Sequence, residues 1–170
     1  MDTRGRSTAM RILRTISIAF LLVSSAWLVA CSSAPPKPQL VKLTLIASAD
    51  VNPDGQNRPS PIVVRLYQLK DDAAFKDADI FTLFDKEQAT LAAALVSREE
   101  YELAPGEHRN VDLQLSHDAR FVGVIAAYRD IRNAQWRAQI GAPDKKLMNM
   151  IKKNKIGVAV EHARISFASD

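Results

Sequence analysis

Phe121-Val122-Gly123-Val124-Ile125-Ala126-Ala127 is the stretch on which the fold turns. These residues carry no charge, are rich in β-branched side chains and are too few for an ordinary helix. They predict a central strand covered on both faces. Working outward, the flanking segments carry the period of two that marks half-buried strands. In 40–49, Val41, Leu43, Leu45 and Ala47 point one way, and Lys42, Thr44 and Ser48 the other. In 62–69, Ile62, Val64 and Leu66 form the predicted core face, leaving Arg65 and Tyr67 to face outward or onto an interface. Val111, Leu113 and Leu115 share a face in 110–115. Ile156, Val158 and Val160 alternate before a kink near Glu161-His162, after which Ile165 and Phe167 resume. Residues 95–103 are ambiguous, with Glu99, Tyr101 and Leu103 strand-like ahead of a Pro105-Gly106 turn. A second turn is predicted at Ser116-His117-Asp118-Ala119, and 130–140 reads as irregular around Trp136. Between Asp71 and Ala94 the period lengthens. Phe75, Ala78, Phe81, Thr82 and Asp85 fall at helical spacing, and Leu91 and Leu95 continue it after a break at Asp85-Lys86. Many short strands with one helical insertion predict a mainly β protein, a β-sandwich over residues 40–170.

The start of the chain is different. Arg4, Arg6, Arg11 and Arg14 precede an apolar run from Ile16 to Leu28, broken only by Ser17, Ser24 and Ser25. A basic region followed by about 13 apolar residues fits a cleaved export signal and is short of the roughly 20 needed to span a bilayer. The run ends Leu28-Val29-Ala30-Cys31. Leucine, a small residue and then cysteine resembles a bacterial lipobox, which implies a signal peptide over 1–30 and a diacylglycerol on Cys31. Cys31 is the only cysteine, so an intramolecular disulfide is excluded. One C14 chain holds a protein only marginally, whereas the three chains of a triacylated cysteine keep it on its membrane. Ser32 and Ser33, with no aspartate after the cysteine, resemble the outer-membrane default of such lipoproteins. Ala34-Pro35-Pro36-Lys37-Pro38-Gln39 completes a proline-rich tether over 31–39, which at about 3.1 Å per residue sets the body roughly 25 Å from the lipid.

Removing residues 1–30 also removes four arginines and one aspartate, so the whole-chain net charge of +4 falls to about +1. A near-neutral body lacks the electrostatic footprint of a nucleic-acid binder. Its 140 residues suffice for one domain.

Side chains in catalytic or ligating patterns are scarce. His108, His117 and His162 are read in or beside turns and are far apart, with no metal-ligand spacing and no second cysteine. Glu99 and Glu100 are adjacent on a predicted strand, so their carboxylates diverge and cannot act as a pair. No Gly-x-Ser-x-Gly elbow or phosphate-cradling glycine loop occurs. Lys145, Lys146, Lys152, Lys153 and Lys155 form a basic patch, in a segment read as loop or short helix, that reads as a solvated face or a contact for anionic lipid or cell-wall polymer. The expectation is a non-enzyme without metal, cofactor or small-molecule substrate.

Between the first two predicted strands lies Asp50 to Pro61, where Asn52-Pro53-Asp54-Gly55 precedes Gln56-Asn57-Arg58-Pro59-Ser60-Pro61. The prolines remove ladder donors and Asp-Gly favours a turn with positive φ. This loop runs into Ile62-Val63-Val64-Arg65-Leu66-Tyr67-Gln68-Leu69. Later come Arg98-Glu99-Glu100, Leu103-Ala104-Pro105-Gly106-Glu107, 119–130 ending Ala127-Tyr128-Arg129-Asp130, and Trp136-Arg137. Together these residues closely resemble the TssJ (VasD, SciN) family, outer-membrane lipoproteins of bacterial type VI secretion systems, across essentially the whole mature chain. The resemblance implies a transthyretin-like sandwich on the periplasmic side of the outer membrane. It also implies binding to the periplasmic C-terminal region of TssM through the loop between the first two strands. Here that segment is Val51, Asn52, Pro53, Asp54, Gly55, Gln56, Asn57, Arg58 and Pro59. The alternative is a lipid-anchored ligand- or peptidoglycan-binding module, using the lysine patch or a pocket lined by Trp136 and Tyr128.

Overall fold

The computed structural model describes residues 37–142 and 155–168. Cys31, the leader, most of the tether and Lys145, Lys146, Lys152 and Lys153 lie outside the described residues. Eight strands form two sheets. Sheet A has the order β4-β1-β7-β8 and sheet B the order β3-β2-β5-β6. The strands are β1 (Gln39–Ala47), β2 (Ile62–Leu69), β3 (Leu95–Leu103), β4 (His108–Leu115), β5 (Phe121–Ala126), β6 (Arg137–Gly141), β7 (Lys155–Val160) and β8 (Ile165–Ala168). Between β2 and β3 lie three short helices, α1 (Ala73–Asp77), α2 (Ile80–Asp85) and α3 (Glu87–Leu91), and a 3₁₀ turn at Ala92–Ala94. This is the mainly β, transthyretin-like sandwich with a small helical insertion that the sequence predicts.

The period-two pattern sets the core. Val41, Leu43 and Leu45 of β1, Val64 and Leu66 of β2, Leu113 of β4 and Val158 and Val160 of β7 pack together between the sheets. The run at 121–126 is buried on both sides, as its lack of polar residues requires. Val122, Val124 and Ala126 face the space between the sheets, while Phe121 and Ile125 join Tyr67, Leu69, Phe75, Leu83 and Leu91 beneath the helices. Such runs are typical of parallel sheets, yet β5 is antiparallel to both β2 and β6. The helical layer supplies the second cover. Arg65 and Tyr67 therefore face an interface and not solvent. The Tyr67 ring is fully buried, its hydroxyl within hydrogen-bond reach of Leu83 O and the Glu87 carboxylate, and burial pushes that phenol up to about 12. Arg65 donates to Glu100 at 2.6 Å and to the carbonyls of Leu83 and Phe84, with its guanidinium 4.2 Å from the Phe84 ring centre. Those two carbonyls belong to the last turn of α2, where carbonyl oxygens run out of helical partners.

The predicted helical excursion divides where its sequence does. Asp79 caps α2 by accepting from Thr82 N at 2.9 Å, and Lys86 ends it at the expected break. The ambiguous 95–103 segment forms β3, with Glu99 and Glu100 on opposite faces. Two expectations change. β4 starts at His108, paired with Ile46 beside the Pro105-Gly106 turn, two residues before the predicted strand start at Asn110. Residues 137–141 are not irregular but form β6, because the edge of β5 offers Val122, Val124 and their neighbours as ladder partners.

Candidate functional site

The ladder registers place four connections at one end of the sandwich. Ile46 pairs with His108 and Ala47 with Val160, so the β3–β4 and β7–β8 turns lie beside the end of β1. Ile62 pairs with Leu103 and Val64 with Ala126, which brings the β1–β2 loop and the β5–β6 connection to the same end. The chain enters the domain at Gln39, opposite Leu115, at the far end of β1. Eight residue steps at about 3.3 Å separate the two ends, about 26 Å.

The β1–β2 loop has a buried root and an exposed tip. Val51 is in the core and Asn52 is 3% exposed, so these two form the buried root that supports the loop. Asn52 ties three segments together. Its amide nitrogen donates to Pro61 O at 2.8 Å, its amide oxygen accepts from Arg129 N at 2.8 Å, and its own N–H donates to His162 O. Pro53 and Asp54 are half-buried, and Gly55, Gln56, Asn57, Arg58 and Pro59 are exposed. Asp54 organises that tip. One carboxylate oxygen accepts from the backbone N–H of Gln56 and Arg58 at 2.9 and 3.0 Å, and the other meets the Arg58 guanidinium at 2.8–2.9 Å. Asn57 N closes the turn onto Asp54 O at 2.8 Å.

The left-handed residues are Asn52 and Asn57, with φ of 50° and 59°, and not the Asp-Gly step that the sequence favours for positive φ. Asparagine tolerates this conformation better than other side chains, and the Asp54 bonds fix where the chain must reverse.

The Arg58 side chain and the two backbone donors hold the Asp54 carboxyl below its ordinary value near 3.8. A depressed carboxyl contributes order above its free value and loses it as pH falls through the bound one. The tip is thus expected to stay ordered at neutral and mildly acid pH and to loosen only below the usual carboxylate range. Amide exchange at Gln56 and Arg58 measures this, and faster exchange already near pH 6 would contradict it.

Beside the loop lies a cleft of about 410 Å³, lined by residues 52–55 on one wall, Tyr128, Arg129, Asp130 and Ala134 on another, and His162 and Ala163 between them. The Tyr128 hydroxyl donates to Glu161 O at 3.1 Å, and His162 Nδ1 stands 3.2 Å from the Asp50 carboxylate. Tyr128, Arg129 and Asp130 stand out in the sequence as a motif, but nothing there shows that they face the loop. Long-range pairing alone brings them together. Trp136 is not in this cleft. It packs partly buried between the two apolar clusters, with the Arg137 guanidinium 4.6 Å from its ring centre. Among the described residues no three potential metal ligands stand together.

A family model described as "Type VI secretion lipoprotein, VasD, EvfM, TssJ" matches residues 39–163. The chain belongs to the type VI secretion lipoprotein family. It is 33% identical to the TssJ1 lipoprotein of Pseudomonas aeruginosa, with a TM-score of 0.71 over 78% of this chain and 97% of that one. It is 25% identical to Serratia marcescens Lip, a membrane-bound component of the type VI system, with a TM-score of 0.69 over 78% and 98% of the two chains. A chain in a structure titled for the TssM C-terminal domain from EAEC is 28% identical, with a TM-score of 0.61 over 75% of this chain and 99% of that one. No curated protein matches. The family is described as a lipoprotein component of a secretion system.

Proposed function

We propose that this lipoprotein anchors the membrane complex of a type VI secretion system to the outer membrane by binding the periplasmic C-terminal region of TssM. In this reading residues 1–30 direct export, Cys31 carries the lipid, 31–39 tether the domain, and the tip of the 51–59 loop faces the periplasm. The observation that carries it is the loop itself, nine residues locked by Asn52 and Asp54 at the end of the sandwich away from Gln39. A loop already ordered before binding loses less entropy on association, so more of its contact energy appears as affinity. The matching chain in the structure titled for TssM is covered 99% by 75% of these 170 residues. A structure titled for a TssM C-terminal domain thus holds a chain that resembles this one over nearly its whole length, which supports the reading.

Replacing Asp54–Arg58 with a two-residue link is expected to abolish co-purification with the TssM periplasmic region while thermal unfolding stays close to wild type. Undiminished capture by that variant rules the loop out. Cys31→Ser is expected to remove the acyl mass, release the protein from the outer-membrane fraction and stop secretion. Normal secretion by a protein shown by mass spectrometry to be unacylated contradicts the anchor.

A further inference from the structure

At the Gln39 end, the outer face of sheet A gathers lysines that have no partner among the described residues. Lys42 and Leu40 are two apart on β1 and so point the same way, away from the core face of Val41 and Leu43. Lys42 lies directly beside Lys155 in the β1–β7 ladder and opposite Asp112 in the β1–β4 ladder. Like charges on neighbouring strands repel. Yet neither lysine side chain makes an ion pair or hydrogen bond with any described residue, Asp112 included. The two lysines line a hollow of about 320 Å³ with Thr44, Asn110, Val111 and Asp112. The Thr44 hydroxyl donates to Asn110 Oδ1 at 2.9 Å, which leaves the Asn110 amide nitrogen as a further donor. Lys37 is exposed just before β1, and Leu40 is 62% exposed, one of two large apolar side chains so placed among the described residues.

We propose that this corner is a docking face for a phospholipid surface, with Lys42 and Lys155 on headgroup phosphates and Leu40 in the interfacial layer. The inference rests on reading Cys31 as the lipid attachment. Nine residue steps separate Cys31 from Leu40, so the corner stays within about 32 Å of the lipid-bearing residue. At the effective concentration such a short link imposes, contacts too weak to bind a free protein become populated. Basic residues around an exposed apolar one have the chemistry of an interfacial contact. The consequence is orientation. The sandwich stands on this corner, with the 51–59 loop held away from the bilayer.

The test couples the mature chain, through its single cysteine, to a maleimide-bearing lipid in vesicles, which does not depend on whether cells acylate Cys31. Lysines are then labelled with acetic anhydride and the sites counted by mass spectrometry. In vesicles containing phosphatidylglycerol, Lys42 and Lys155 are expected to react at least about fivefold more slowly than in phosphatidylcholine vesicles, the factor to which about 1 kcal/mol per lysine converts. Lys86, exposed on the helical layer, should not change, and high salt should restore the lost reactivity. Leu40→Ser should reduce the protection without altering the far-ultraviolet spectrum. Equal rates in the two vesicle types overturn the proposal. So does equal protection by inorganic phosphate without anionic lipid, which would make the hollow a free-anion site. A cellular protein lacking acyl mass would instead overturn the anchor and leave the labelling result standing.

Discussion

Asn52→Ala is expected to destabilise the domain by about 3–5 kcal/mol and to weaken capture of the TssM periplasmic region at least about tenfold. Alanine at a φ of 50° costs about 1–2 kcal/mol by itself. It also leaves the Arg129 N–H and the Pro61 carbonyl, both of which bond to the Asn52 side chain, without partners, at about 1–3 kcal/mol each. Relaxation and water offset part of that sum. Asn52→Gly removes the backbone strain and keeps the loss of hydrogen bonds, so it should recover only about 1 kcal/mol of the deficit. Denaturant unfolding of the two variants checks the ordering. A glycine variant as stable as wild type would show that the φ angle matters and the amide does not.

The second large effect belongs to the helical layer. Phe75→Ala is expected to cost about 3–5 kcal/mol, the usual range for deleting a buried phenylalanine. The Phe75 ring is fully buried, stands 5.6 Å from the Tyr67 ring and lies over Gly123. Gly123 is required by that approach, since a Cβ there would lie 2.7 Å from Phe75 Cζ and 2.8 Å from Cε1. Gly123→Ala should therefore cost about 1–3 kcal/mol by overpacking. It should cost clearly less in a Phe75→Leu background, because the colliding ring is gone. A double-mutant cycle with no coupling between the two positions would refute the contact. Hydrogen exchange should locate the loss in α1–α3 and β5. Sheet A, whose Leu43, Leu113 and Val158 belong to the other apolar cluster, should be affected less.

The registers explain which parts of the candidate site were legible. The 51–59 segment stands out in the sequence because prolines, asparagines and an Asp-Gly step interrupt two clean alternations, and local chemistry determines such punctuation. What each residue does there was not legible. Val51 and Asn52 belong to the same polar, proline-rich stretch as Asn57 and Arg58, yet the first pair is the buried root and the second the exposed tip. The difference comes from Arg129, Pro61 and His162 converging on Asn52, and Arg129, 77 positions along the chain, is nearer in sequence than His162. Likewise the positive φ falls at Asn57 and not at Gly55, because the Asp54 carboxylate gathers the N–H groups of Gln56 and Arg58.

By itself the sequence determined the sandwich, its helical insertion and most strand faces, since alternation, period change and turn residues are local and survive in one dimension, and the resemblance of its motifs carried the family. It also carried the lipobox pattern, which belongs to the chain alone. The tertiary structure decided that β5 is covered by helices within an antiparallel sheet, that β6 exists at all, and that the loop shares its end with Tyr128, Arg129 and His162. It also decided that Lys42 and Lys155 stand side by side at the opposite end. These outcomes depend on which strands pair and in what register, and pairing is settled by the burial of whole faces against each other, a quantity that no single segment contains.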